Sequence, residues 1–276
     1  MSIVAISETT GSLGNEIGRR VSERLGYRFA DREIIAKAAE QFGALVSDLR
    51  HGTEEKPSFW ERLTDSQHRY RAYVDSIILE MATGDDVVLT GLAAAIILRQ
   101  VPHALRVRTS APERLRADRV EQQQGLTREA ALDHVRHTDH ERATRVKFLY
   151  RVNVDDHLLY DMVLNTERMT ADEGARIIQE TLKEQRFLTT PAWRRQLIDR
   201  SIVARAQASF MASPVFDPER VTVFASGGCA CLSGTVDTDE ERALVEQTVK
   251  KIPGVTHVLN EIVVTPPIKR ALTPTG

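Results

Sequence analysis

The residues with most chemical potential lie near the start of the chain. Ile3-Val4-Ala5-Ile6 is an apolar, largely β-branched run that stops at Ser7. Gly11-Ser12-Leu13-Gly14-Asn15-Glu16 follows as a glycine-bearing loop, and Ile17, Val21 and Leu25 then recur at helical spacing. Strand, glycine loop and helix aim main-chain N–H groups and a helix N-terminus at one point, which is how backbone binds phosphate and other anions. The side chains depart from the usual phosphate-loop pattern G-x-x-x-x-G-K-[ST]. Set on the glycine at 14, that pattern calls for glycine at position 9, lysine at 15 and serine or threonine at 16. The chain has Thr9, Asn15 and Glu16 there. By pattern alone, a phosphate cradle and a plain strand-turn-helix both stay open.

Other groups suited to chemistry are arginines. Arg114 and Arg119 precede Gly125; Arg142 lies three residues after Asp139, and Arg145 continues that face. Residues so spaced also make ordinary i,i+3 and i,i+4 ion pairs on a solvated helix. Asp31-Arg32 follows a short strand, where a ligand contact and a loop ion pair are equally open. His134, His137 and His140 recur every three residues, but no acidic or cysteine ligand is paired with them. A polar helix face is therefore expected there and no metal site. Cys229 and Cys231 alternate along a strand and read as small buried apolar residues. Trp60 and Trp193 read as packing anchors.

The elements that must position these groups alternate. Strands are expected at 3–6, 27–30, 87–90, 105–109 and 161–164. Helices are expected at 17–25, 33–42, 61–81, 93–100, 113–124, 127–137, 139–151 and 171–184. Ser110 reads as the cap of the helix ending at Gly125, and Thr170 with Glu173 as a capping box. That alternation predicts a parallel α/β sheet flanked by helices. In such sheets ligands sit at the carboxyl ends of strands, where the glycine loop lies. Thr189-Thr190-Pro191 breaks the pattern, so 187–195 reads as a linker between a first domain, 1–186, and a second, 196–266. The second is an α-β-β-α-β unit: helix 197–211, strands 221–224 and 229–232 across Ser226-Gly227-Gly228, a helix capped by Thr238, and strand 258–264. Residues 267–276 read as a tail.

The bulk numbers bound the function. The chain has 276 residues, 42% of them hydrophobic and 28% charged, and a net charge of −2. A near-neutral balance argues against nucleic-acid binding. Two cysteines make no disulfide framework and suit a reducing compartment. No basic stretch precedes the first strand, so no leader is expected and a cytoplasmic location is. The longest apolar run, 87–98, is too short to span a bilayer.

Several stretches, in order, resemble the cytidylate kinase-like family of nucleoside monophosphate kinases. They are Ile6 to Gly18, Leu25 to Ile35, Val88-Leu89-Thr90-Gly91-Leu92-Ala93, Ala111 to Arg119, Thr138-Asp139-His140-Glu141-Arg142 and Asp161 to Thr166. The resemblance implies a five-stranded phosphate-loop kinase core. It implies ATP, with Mg²⁺, on the N–H groups of Gly11, Ser12, Leu13, Gly14, Asn15 and Glu16. It further implies lid arginines Arg114, Arg119 and Arg142 closing over the phosphates, and Asp31, Arg32 and Asp139 holding an acceptor monophosphate. Three departures stand out: Leu13 where relatives keep glycine, Asn15 where they keep a basic residue, and Leu92 where they carry arginine. Nucleotide binding is thus better supported than turnover, and a non-catalytic nucleotide sensor is the alternative. Arg19 or Arg20 would be the substitute cation, and Glu16 either a Mg²⁺ ligand or a repulsive charge.

The second unit is similar to a BON domain, on Leu232-Ser233-Gly234-Thr235-Val236 and Pro253 to Ile262. That implies a regulatory module binding a small ligand or phospholipid, and a peripheral membrane protein is a third reading. Homo-oligomer formation and the acceptor base are left open.

Overall fold

A computed structural model describes residues 2–31, 60–91 and 93–265, with side chains from 68 onward in the helix that opens at Trp60. The expected helix at 33–42, Arg32, Leu92, the Trp60 side chain and the tail lie outside the described residues. β1 (Ile3–Glu8), β2 (Arg28–Ala30), β3 (Val87–Thr90), β4 (Ala104–Ser110) and β5 (Met162–Asn165) form one sheet in the order β2-β3-β1-β4-β5. Every pairing in it is parallel, with Ile6 opposite Thr90 on one side and Val107 on the other.

Alternation along β1 divides the core. Ile3 and Ala5 point to one layer, where they join Val87, Leu89 and the helix residues Ile77, Ile78 and Leu98. Val4 and Ile6 point to the other, with Leu105, Val107, Ile17, Val21 and Ile178. A strand apolar on both faces belongs in a sheet covered on both sides. The covering helices are α1 (Gly14–Leu25), α2 (Trp60–Thr83), the one-turn α3 (Ala94–Ile97) and, further along, α6 (Ala171–Thr181). Between β4 and β5 stand α4 (Glu113–Gln124) and α5 (Arg128–Tyr150), packed on each other through Ala117, Val120, Ala131 and Val135.

Several local expectations are realised differently. The capping box forms at α6: the Glu173 N–H reaches Thr170 Oγ1 at 3.3 Å and the Thr170 N–H reaches the Glu173 carboxylate at 2.9 Å. Ser110 is not a cap; it pairs with Asn165 in β4, and α4 opens behind Pro112. The two helices expected at 127–137 and 139–151 are one. Asp139, the expected start of the second, directs its carboxylate at the glycine loop instead of its own backbone.

The second unit comprises α7 (Pro191–Ala212), β6 (Val221–Ser226), β7 (Cys229–Val236), α8 (Asp239–Lys250) and β8 (His257–Val264), its sheet ordered β6-β7-β8. In β7, Ala230 and Leu232 face inward and are fully buried. Cys229 is therefore exposed and Cys231 half-exposed on the outer face, the reverse of the buried pair expected. Residues 187–195 are not slack. Phe187 is buried in the first unit, Thr190 caps α7 by accepting the Trp193 N–H at 3.2 Å, and Pro191 occupies its first turn. α7 serves two cores. Leu197 and Ala204 join the first unit, while Ile202, Ala206 and Phe210 join the second.

At the base of the first sheet His103 is fully buried, 3.7 Å from the Asp85 carboxylate and stacked 5.8 Å from the Trp193 ring. Burial holds its imidazole below the ordinary value of 6.5, partly offset by Asp85. A histidine kept neutral by the fold binds fewer protons than in the unfolded chain. Stability should thus decline as pH falls below about 6.5 and level off under the depressed pKa; His103→Phe should remove that part of the slope in urea titrations at several pH values. Phe210→Ala should cost about 3–5 kcal/mol in the same assay.

Candidate functional site

The glycine loop between β1 and α1 is shaped from below by its carbonyls. Arg116 donates to Thr10 O at 2.9 Å, Arg119 to Gly11 O at 3.1 Å, and Thr166 Oγ1 to Ser12 O at 3.1 Å. Ser12 Oγ, itself buried, donates to Thr109 O at 3.1 Å. Gly11, at φ 79, cannot be replaced: a Cβ there would lie 2.6 Å from Arg116 O. The Ser12 N–H, expected to meet ATP, is instead taken inside the loop by Thr9 O at 3.0 Å, so the amides that could meet an anion are those nearer the start of α1. Helix α1 starts at Gly14, its first intrahelical bond running from Ile17 N–H to Leu13 O at 2.9 Å.

That start moves the phosphate-loop pattern by one residue. The residue before the helix is Leu13, at φ 64 in the left-handed region where glycine is normal. The pattern's two glycines then fall on Glu8 and Leu13, its lysine on Gly14 and its hydroxyl on Asn15. Asn15 Oδ1 accepts from Thr90 Oγ1 at 3.0 Å. The Glu8 carboxylate accepts the Asn15 N–H at 3.0 Å, beside the Gly14 backbone. Burial raises the Glu8 carboxyl above its ordinary value, while Arg142 and the backbone beside it pull it back. As it stands the cradle holds a carboxylate in place of a phosphate. The pattern's lysine and hydroxyl are absent in this register, so a polyphosphate here would be met by backbone amides and the arginines nearby.

Beside the loop, over the carboxyl ends of β1, β3 and β4, lies a cavity of about 640 Å³. Its lining includes Glu8, Asn15, Asp31, Arg108, Arg142 and Arg145. Neither Arg142 nor Arg145 is held by a hydrogen bond or ion pair among the described residues. Arg108 is nearly buried, its guanidinium donating to Ser7 Oγ at 2.8 Å and the Asp155 carboxylate at 3.1 Å. At the back, Tyr150 Oη donates to the Asp75 carboxylate at 2.8 Å; burial raises both groups' pKa values.

A model of the cytidylate kinase-like family matches residues 3–168, and one of the BON domain matches 198–266. The chain belongs to the cytidylate kinase-like family. Its first unit is a nucleotide-kinase-like phosphotransferase fold, and a BON domain follows it. Among curated relatives, the cytidylate kinase of Methanopyrus kandleri is 26% identical over 189 residues, covering 65% of this chain and 92% of that one. That of Ignicoccus hospitalis is 26% identical over 185 residues, covering 66% and 98%. A solved structure of an uncharacterized protein from Eubacterium ventriosum has a TM-score of 0.54 at 16% identity, over 67% of this chain and all of that one. This last likeness speaks to the fold alone.

Within this family member the expected site residues separate. Arg142 lines the cavity, as does Asp31, which pairs with Arg19 at 2.9 Å. Arg119 is spent beneath the loop, donating also to Thr166 O at 2.7 Å. Arg114 is exposed and lines no part of the cavity. Asp139 also lines the cavity but is bound to the loop, accepting Thr10 N–H at 2.8 Å and pairing with Arg116 at 2.6 Å. Arg20 lies 3.7 Å from Asp172 on the far side of α1, so it supplies no cation to the loop. Glu16 turns to Gln123 at 3.1 Å. No group of three or more His, Cys, Asp or Glu suited to a metal occurs among the described residues, and His137 pairs with Glu141 at 3.2 Å.

Arg108 and Glu8 escaped the sequence reading. The available signal was a charged residue at the carboxyl end of an otherwise buried strand, in each case. The clamp under the loop gives a direct test. Thr166→Val should cost about 1–3 kcal/mol, because Ser12 O and Arg119 lose a buried partner; chemical denaturation would measure it.

Proposed function

We propose that the first unit transfers a phosphoryl group from ATP, with Mg²⁺, to a nucleoside monophosphate held in the cavity. The observation that carries this reading is the set of cations at the cavity: Arg142 and Arg145 uncommitted, Arg108 held by one exposed acid. Phosphoryl transfer asks mainly for positioning and charge neutralisation. The acceptor is already an anionic phosphate oxygen, so no general base is needed. In this reading Arg142 meets the transferring phosphate, and Asp31 and Arg108 hold the acceptor. Arg32 keeps its proposed role in acceptor binding. Asp139 and Arg119 position the loop.

A second reading has specific support from Glu8 and Gly14: a unit that binds nucleotide without turning it over. Incubation with ATP, Mg²⁺ and each monophosphate in turn separates the two. The first expects ADP to form with one acceptor, and no ADP above background for any acceptor removes it. Under the first reading Arg142→Gln should slow turnover ~10³-fold or more while leaving ATP affinity within a few-fold.

For the BON unit we propose binding of a small ligand or phospholipid in the cytoplasm. Phe224, Leu259 and Val263, exposed on the sheet's outer face, support it. No helix among the described residues is long and apolar enough to cross a membrane. The full chain should co-sediment with anionic phospholipid vesicles, and Phe224→Ser should reduce the bound fraction several-fold.

A further inference from the structure

Glu8 closes β1, and its carboxylate lies over the first turn of α1. The amide it accepts, that of Asn15, is among the unpaired donors that a helix start offers to a phosphate. Gly14 is what makes room for it. A Cβ at position 14 would lie 2.6 Å from Glu8 Oε2 and 2.7 Å from Glu8 Cβ. An acid at the pattern's first glycine and a glycine at its lysine are thus a matched pair of departures. Lysine at 14 would collide with Glu8 where it now rests, and without the acid the glycine would leave the Asn15 amide facing an empty cradle.

Two anions cannot share this space. The carboxylate satisfies both the amide and the positive end of the helix dipole, so the loop needs no ligand to hold its form. Glu8 also borders the cavity, and Arg142 is the cation whose charge acts on it most. The other charge acting on it, Glu16, is repulsive and is drawn toward Gln123. A Glu8 side chain that leaves the amide turns into a cavity lined by arginines.

We infer that Glu8 is a resident anion closing the phosphate cradle, and that a polyphosphate enters only when this carboxylate leaves the amide it holds. The inference rests on the reading of the loop and cavity as a nucleotide site, and it adds the residue that decides whether that site is open.

The test is calorimetric titration of the full chain with inorganic tripolyphosphate and, separately, with ATP, comparing the native protein with Glu8→Gln and Glu8→Ala. Tripolyphosphate should bind Glu8→Ala at least ~10-fold more tightly than native, with Glu8→Gln also tighter. Equal or weaker binding by both variants overturns the inference. A gain for tripolyphosphate without one for ATP upholds the closed cradle and removes the nucleotide reading. As a ligand-free check, the Asn15 amide resonance should titrate with a carboxyl group in the native protein and not in Glu8→Gln. A resonance that stays still in the native protein overturns the inference.

Discussion

Three consecutive carbonyls, those of Thr10, Gly11 and Ser12, face downward onto Arg116, Arg119 and Thr166. Buried carbonyls must be paired, and here the partners come from α4 and from the residue that follows β5. Two of the three donors are charged, which makes their bonds the stronger kind. The loop therefore cannot rotate its peptide planes without breaking several bonds at once. Its Thr10 and Ser12 amides are bonded within the fold, to Asp139 and Thr9 O, and the Asn15 amide at the start of α1 is the one turned to the Glu8 anion. Everything proposed for the site depends on that orientation, because a helix start with that amide turned inward would offer no cradle to open or to close.

The same clamp explains why chemically identical residues have different fates. Arg114, Arg116 and Arg119 lie on one helix, and Arg142 and Arg145 on the next. In sequence they are interchangeable charges at helical spacing. In the fold, Arg116 and Arg119 lie beneath the loop and are consumed there, Arg114 turns to solvent, and only the pair from α5 reaches the cavity uncommitted. Which face a helix presents depends on its neighbours, and spacing alone does not state it. Asp139 makes the point most sharply. Its position suggested a helix start or a ligand contact, yet its carboxylate is engaged by Thr10 and Arg116 from elements far away in the chain.

The architecture was more legible than the site because it rests on periodicity. The continuous apolar runs at 3–6 and 87–90 announce strands buried on both faces, and the strand–helix alternation announces a parallel sheet. Thr170 with Glu173 announced a capping box that forms. What failed was reading local signals as boundaries. A break was expected between 137 and 139, but no glycine or proline interrupts 126–150 and the helix runs through. Thr190-Pro191 looked like a breaker, but threonine before proline is equally a helix start. Glu8 was hidden for a different reason. The glycine spacing invited a register set on Gly14, and only the left-handed backbone at Leu13 shows that the helix begins one residue sooner than that register requires.

Helix α7 links this site to the second unit by packing, not by a tether. Its Leu197 and Ala204 are part of the same core as Ile77 and Ile78 of α2, and Arg205 pairs with Glu80 on that helix. On its other side Phe210 and Ile202 are core residues of the BON sheet. Tyr70, further along α2, lines the cavity. The inner face of the BON sheet and one wall of the cavity thus rest on two helices that share an interface. Proximity of this kind does not by itself couple sites; coupling needs an element with two arrangements that both ligands bias. By the inference drawn above Glu8 is one such element, since its carboxylate either holds the Asn15 amide or yields it to a phosphate.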